Sequence, residues 1–586
     1  MEPRRRWWWP RLGLWLRPWR ILPLLLTLYC VVFILLLPLY RLRGGEGRLV
    51  GVGRTSKGGD GYRKASDRVP DTAPSPPPPT TKTKTKTTKT VGTPEETQQK
   101  QRHLLNNTIY GPATQDMVHE TWDFTASPCS RFPDTDGILL VMKTGASEAY
   151  DKLPTQLLTS LQCLPDLLLF SDMEQQMGRY HLHDALDAVS DSIRAANKEF
   201  ALYEAQRRCA VSLKDCTSSM EGAWHLDKYK FVNMALRTWR MRPNRQWYVF
   251  AEADSYVFWQ NLVTWLKTRD AESDTYVGNV ALYDGFPFAH GGSGYVVSGK
   301  LLRRLAEADG PDGTLATRFD AAAPDTCCGD VLLGMALAEV GARVGHVYPM
   351  FSGDTPTSLP FGPGLWCEPA LTLHHMSPEQ VGLAWQYEQT RLRPDEPILL
   401  RDLYRQFVAP HLRRRRTAWD NLSADTCYIA PDDESQRRAA ADLRALQRPH
   451  EDKSPVESIA HRGPDACEAV CEAAGLDVDA ASWAKAADED DPGIDDAGIR
   501  RSVWLARRYN ARASRSDALD FHRRRDCFQW RYHAGVCCTS SSFKLGHPKK
   551  HPYRGKPWIS GWFVRGIDDW AVAQGVCEPI WREPVQ

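Results

Sequence analysis

The sequence has almost no charge of one sign to spare. Its 74 Lys and Arg stand against 72 Asp and Glu, a formal net charge of +2. Binding a phosphate backbone calls for a basic excess, so nothing in the charge argues for a nucleic-acid partner. Zinc-type cysteine spacing is also missing. The C-terminal cysteines run Cys467-x₃-Cys471, Cys527, Cys537-Cys538 and Cys577, which suits disulfides better than a metal knuckle. Residues 41–128 lack the apolar content to build a core. They hold Ser75-Pro76-Pro77-Pro78-Pro79 and a Thr/Lys alternation from Thr80 to Thr90. Such a stretch is expected to be an extended, disordered stem, either an O-glycosylated stalk or a plain solvated spacer.

What is present begins with a basic segment, 1–20, carrying six arginines. Ile21 to Tyr40 follows as an uncharged apolar run. About 20 such residues suffice to cross a bilayer. No small-residue cleavage site comes directly after it, so an uncleaved anchor is expected over 21–40 rather than a removed signal peptide. The arginines before it predict a cytoplasmic N-terminus and a luminal remainder. Cys30 lies in the run, and the other fourteen of the 15 cysteines lie beyond it. That even number fits an oxidising compartment. Cys209 and Cys216 are close enough for a local disulfide, and Asn106-Asn107-Thr108 and Asn421-Leu422-Ser423 are N-glycosylation sequons.

The centre of the reading is Trp247 to Trp259, WYVFAEADSYVFW. Trp247-Tyr248-Val249-Phe250 predicts a buried strand. Two carboxylates, Glu252 and Asp254, sit on the turn after it, and Val257 to Leu266 has helical spacing. Ligands of open α/β sheets bind beyond the carboxyl ends of strands. A pair of acids there can hold Mg²⁺ or Mn²⁺ against a nucleotide diphosphate. Upstream, Ile138 to Met142 and Asp166 to Ser171 predict two buried strands around a helix, Glu148 to Cys163, hence a parallel pair. A polar helix is expected over His183 to Asn197 and another from Trp224 to Arg240. Downstream, His290-Gly291-Gly292-Ser293-Gly294-Tyr295 allows close backbone approach. Asp330 follows Cys327-Cys328-Gly329 at the expected start of a helix, where a negative charge is favoured. His374-His375 follows a short strand, and an imidazole is an acceptable ligand for Mn²⁺.

In this order the segments EADSYVFWQNLVTWL, GGSGY, GDVLLG and LTLHHM resemble the β1,3-glycosyltransferases of family 31, the group of core-1 galactosyltransferases and fringe-type enzymes. The family's acidic motif usually reads DDDTY. Here Glu252 and Ala253 replace its first two positions and Asp254 keeps the third. Its EDVxxG segment has Gly329 in place of the acid and keeps Asp330. The resemblance covers about residues 135–395. It implies a GT-A-like α/β fold and a Golgi enzyme that moves a hexose from a UDP-sugar, UDP-galactose first, to a glycan or glycoprotein acceptor. Mn²⁺ would be held by Asp254, His374 or His375, and Glu252, with Asp330 as base. Thr144, Asp172 and Lys228 would contact the donor, and Gly292 and Gly294 would line the acceptor side of the cleft. Another donor, GlcNAc or glucuronic acid, is one alternative. A glycan-binding protein that has lost catalysis is the other, suggested by Ala253 and Gly329.

The expected organisation is a tail at 1–20, an anchor at 21–40, a stem at 41–128, the transferase domain at 129–410, a charged linker at 411–465, and a module at 466–586. The last resembles a PAN/apple module, a helix stapled to a small sheet by disulfides. The fold class is thus α/β, with an N-terminal transmembrane anchor and a C-terminal disulfide-rich α+β module.

Overall fold

The computed structural model describes residues 127–208, 222–474, 527–549 and 556–586. The tail, the anchor, most of the stem, the Asn106 sequon and the Cys209–Cys216 pair lie outside the described residues. No helix among the described residues is long and apolar enough to cross a membrane.

An eight-stranded mixed sheet carries the first region. Its strands are β1 Ile138–Lys143, β2 Leu167–Ser171, β3 Gln175–Met177, β4 Tyr180–Asp184, β5 Trp247–Glu252, β7 Tyr276–Gly278, β10 Tyr295–Ser298 and β11 Val344–His346. A separate pair, β6 Tyr256–Val257 and β12 Thr372–Leu373, and a hairpin, β8 Val280–Tyr283 with β9 Phe286–Ala289, lie outside it. The order is β11-β7-β10-β5-β1-β2-β4-β3. β1 runs parallel to both β2 and β5, as the strand–helix–strand pattern predicts. The chain leaves β1 towards β2 and returns to its other side as β5. The carboxyl ends of β1 and β5 therefore flank a switch point, where ligands enter such sheets.

Continuous apolar strands make sense because both faces are covered. Side chains alternate across a strand. Leu139, Val141, Leu168, Phe170, Tyr248 and Phe250 fill one core. Leu140, Met142, Leu169, Trp247, Val249 and Ala251 fill the other. Helices α2 Lys230–Met241, α4 Gly299–Asp309 and α5 Gly329–Glu339 cover the first face, and α1 Ala149–Leu158 and α3 Trp259–Leu266 the second. Each fully buried Leu, Val or Phe contributes about 1.5–3 kcal/mol, so the strands that end at the acidic turn are firmly seated.

Three expectations are corrected. His183 is not helical. It lies in β4, where Tyr180-His181-Leu182-His183-Asp184 alternates with Leu182 buried, and a helix begins only at Asp191. The stretch 411–465 is not a linker. β13 Arg415–Thr417 and β14 Thr426–Ile429 join β15 Gln529–His533, β16 Val536–Ser540 and β17 Ile559–Trp562 in one antiparallel five-stranded sheet. Its pairing, and the Cys427–Cys538 disulfide, come from partners far away in sequence. Asn421, the second sequon, is fully buried and donates from Nδ2 to the carbonyls of Trp530 and Gly561. Such an amide has no room for a glycan.

Helix α6 Pro464–Ala473 is fastened to the C-terminal sheet region by Cys467–Cys537 and Cys471–Cys527. The two regions do not stand apart. Phe361, Trp366 and Tyr404 share a core with Phe528, Phe543, Trp562 and Trp570 of the later chain, and helix α7 Val564–Ala573 supplies the last of these. Cys367–Cys577 closes this seam across 210 residues. Beyond it Val585 pairs with His346 at the end of β11.

Candidate active site

The acidic turn after β5 is held from several sides. Gln156 Nε2 on α1 donates to the carbonyls of Ala253 (2.9 Å) and Ser255 (2.7 Å). Ser255 Oγ donates to the Gly292 carbonyl at 2.7 Å. β6 pairs with β12 antiparallel, and Met376 N–H donates to the Asp254 carbonyl at 2.9 Å. These ties bring His374 and His375 over the turn from a distant part of the chain.

Asp254 Oδ1 lies 3.3 Å from His374 Nε2, and Asp254 Oδ2 lies 3.8 Å from His375 Nδ1. The two imidazoles stack at 3.8 Å. One ligand atom from each of the three residues falls within 4.8 Å of the others. Asp254 Oδ1 and His374 Nδ1 are buried without a hydrogen-bond partner, and buried polar atoms left so are costly unless something meets them. One carboxylate with imidazole nitrogens is a donor set that fits a dication such as Mn²⁺. Burial opposes the charge on Asp254, but His374 and Lys152 outweigh it and hold its carboxyl well below the usual range. His375 is exposed and keeps a left-handed backbone, φ +53°, uncommon for a side chain of this size. Glu252 stands at the rim. Its Oε2 is 3.9 Å from His374 Nε2, while Oε1 is 3.1 Å from Lys143 Nζ.

Gly292 permits this arrangement. A Cβ there would meet His374 Cε1 at 2.0 Å. Gly294 turns the chain with φ +74°. Gly291 joins the acidic corner to α5: its N–H donates to Asp330 Oδ2 at 2.9 Å, and a Cβ on it would come within 3.4 Å of Glu252 Oε1. Asp330 Oδ1 also accepts from Val331 N–H at 3.0 Å. Burial pushes the Asp330 carboxyl up to about 6, against those two hydrogen bonds. Gly329 has its own reason. A Cβ there would sit 2.3 Å from the Phe231 ring and 2.8 Å from the Lys228 carbonyl, so this backbone has no space for an acid.

Three residues expected to contact the donor have hydrogen-bond partners within the chain. Asp172 is wholly buried. It accepts from Ala146 N–H and from Gln206 Nε2 and so fastens the loop after β1. Thr144 is buried, with its carbonyl accepting from Lys230 Nζ at 2.9 Å. Lys228 Nζ pairs with Glu199 Oε1 at 3.0 Å rather than with the acidic corner. The lysines at the corner are Lys143 and Lys152, and the latter reaches Asp254 Oδ2 at 3.0 Å. Sequence reasoning missed both, together with Asp227, which pairs with Lys143 at 2.6 Å. The one legible signal was Lys143 closing an otherwise apolar strand. His290 was also missed. Its ring lies 5.6 Å from that of His374, and burial followed by the His374 and His375 rings pushes it down to about 4.

Residues 206–353 match the protein-family model described as Fringe-like. The matched span takes in Asp254, the glycine turn and Asp330, and stops short of His374. This likeness supports a glycosyltransferase of that type, with a nucleotide-sugar donor and a glycan acceptor. No curated protein matches the chain.

Proposed function

We propose that the chain is an inverting, metal-dependent hexosyltransferase. It moves galactose from UDP-galactose to a hydroxyl of a glycan or glycoprotein, of the N-acetylgalactosaminide type, in β1,3 linkage. The observation that carries the metal site is the meeting of Asp254 Oδ1 and His374 Nε2 at 3.3 Å, both residues buried and the carboxylate oxygen without a hydrogen-bond partner. Asp254 and His374 would hold Mn²⁺, with His375 beside them and Glu252 at the rim. When bound, that ion supplies the charge that neutralises the departing UDP.

The chain's own residues do the rest. Lys143 and Lys152 add positive charge at the same corner. Asp330 takes the proton of the acceptor hydroxyl as that oxygen bonds to the anomeric carbon and the bond to UDP breaks. A carboxyl poised at about 6 is mostly ionised at neutral pH, yet basic enough to accept a proton. Gly291 N–H orients it. The six disulfides among the described residues suit an oxidising compartment. This supports a luminal catalytic domain, anchored in the Golgi by 21–40. The stapled helix and sheet of the C-terminal region are compatible with a PAN/apple-like module that binds glycan or protein.

A donor panel tests the reading. UDP release is followed with UDP-galactose, UDP-GlcNAc and UDP-glucuronic acid in the presence of Mn²⁺. Turnover of UDP-galactose supports the proposal, and turnover of another donor replaces the sugar. UDP binding without turnover of any donor favours the binding protein.

A further inference from the structure

A second cluster of metal-ligating side chains lies away from the acidic corner, at the β3–β4 edge of the sheet. His181 and His183 project from one face of β4, since side chains two apart on a strand share a face. Their rings meet edge to face at 4.5 Å. The β3–β4 register pairs Gln175 with Leu182 and Gln176 with His181, so Glu174 comes in opposite His183. One ligand atom from each of Glu174, His181 and His183 lies within 4.8 Å of the others.

The surrounding hydrogen bonds orient these groups. Gln176 Nε2 donates to the Gly178 carbonyl at 2.9 Å, which turns Gln176 Oε1 towards His181 Nδ1 at 3.1 Å. Nδ1 therefore carries the proton of that tautomer, and Nε2 presents its lone pair. That lone pair faces Glu174 Oε1 in close contact. The carboxylate cannot swing away freely, because Glu174 Oε2 accepts from Asp184 N–H at 2.7 Å. A lone pair and a carboxylate oxygen brought together in this way call for a shared positive charge: a proton where they touch, or a metal ion that both ligate once they part by the spacing of two zinc ligands. A polar group fixing the far nitrogen of a ligand histidine is the usual support of a metal site.

We propose that Glu174, His181 and His183 form a second divalent-metal site, of the zinc type, that clasps the β3–β4 hairpin. Two imidazoles and one carboxylate suit Zn²⁺ and its late first-row neighbours better than Mg²⁺ or Ca²⁺. Three protein ligands leave a fourth position for water or a further ligand. Its residues lie outside the matched span and outside the Asp254 group.

Zn²⁺ alone is the probe, titrated into the full chain at buffered free concentration, with metal content and melting temperature as readouts. The parent binds one equivalent more than His181→Ala or His183→Ala, and Zn²⁺ raises the melting temperature of the parent more than that of either variant. Asp254→Asn keeps this equivalent, which separates it from the first site. Gln176→Ala weakens it about 10–100-fold. Should a histidine variant fold poorly, Glu174→Gln, at an exposed position, carries the same comparison. Equal zinc content in the parent and all three ligand variants, or an equivalent lost only with Asp254→Asn, overturns the proposal. In that case the Glu174–His181 contact is a protonated ion pair.

Discussion

Lys143 and Glu252 end neighbouring parallel strands in register, and their charged tips meet at 3.1 Å. Asp227 grips the same ammonium from the other side. Burial alone would discharge the lysine, but the two carboxylates outweigh it and raise its pKa above the ordinary value. Lys143→Met leaves Asp227 and Glu252 without their shared cation, and Asp227 with Lys230 as its remaining cation among the described residues. The expected loss is about 3 kcal/mol, the cost of stripping one partner from a buried pair. Urea unfolding at pH 7 measures it, and an unchanged midpoint would remove the pair from the site's architecture.

Asp330→Asn keeps an oxygen for the Gly291 N–H and removes the proposed base. Transfer should fall about 10²–10⁴-fold, with UDP affinity retained in a calorimetric titration. In the parent, transfer should rise with pH through about 6 as the carboxyl ionises. Stability runs the other way. The folded pKa is raised from 3.8, so this group's contribution is complete below 3.8 and is lost as pH rises through about 6. The variant should therefore gain on the parent over that window and hold a constant lead above it. Thermal unfolding across that range decides the sign.

His374 and His375 should differ. His374 is buried and nearer to Asp254 than the exposed His375, 3.3 against 3.8 Å. Asp254→Ala and His374→Ala should abolish Mn²⁺-dependent UDP binding, while His375→Ala weakens it less. Calorimetric titration with UDP, with and without Mn²⁺, ranks the three. The reverse order for the histidines would transfer the ligand role to His375.

Gly329→Glu places at the helix start the acid that the resembling EDVxxG segment carries. The new Cβ meets the Phe231 ring and backbone atoms of Lys228, neither of which yields cheaply. We expect no gain in transfer and a loss of about 1–3 kcal/mol, as for overpacking elsewhere. Full stability with higher turnover would show that the glycine is a choice of acceptor rather than of space.

Asn421→Ala should cost about 1–3 kcal/mol, because the Trp530 and Gly561 carbonyls lose their buried donor. Digestion with an N-glycosidase should shift the gel mobility of parent and variant alike. A shift present only in the parent would show that Asn421 carries a glycan after all.

Much of the architecture was legible where burial is continuous. β1, β2 and β5 are apolar runs ended by polar residues, and their parallel order follows from the helix between the first two. The corner's two acids were legible for the same reason: they interrupt an aromatic strand. Its histidines were less so. Their approach depends on β6 and β12, two residues each, paired across more than a hundred positions, and no local pattern announces such a contact. β4 was misread because its exposed face carries two histidines, leaving one apolar residue to mark the alternation. The charged linker expected at 411–465 hid Arg415-Arg416-Thr417 for a similar reason, since this is an edge strand whose partner arrives much later in the chain. Lys228 was preferred to Lys143 by its position in a resembling segment, and only the register with Glu252 reveals which ammonium reaches the corner.

The aromatic seam closed by Cys367–Cys577 carries a consequence for how this protein is made. Trp366 stacks edge-on against Trp570 at 5.0 Å, and Phe361 exchanges backbone hydrogen bonds with Phe543. A ribosome that has finished the first half has therefore delivered Phe361, Trp366 and Tyr404 without their later aromatic partners, and the Cys367 thiol without its own. Stopped near residue 410, the chain is expected to aggregate rather than to fold as a smaller enzyme, because that core and that disulfide are both left half made.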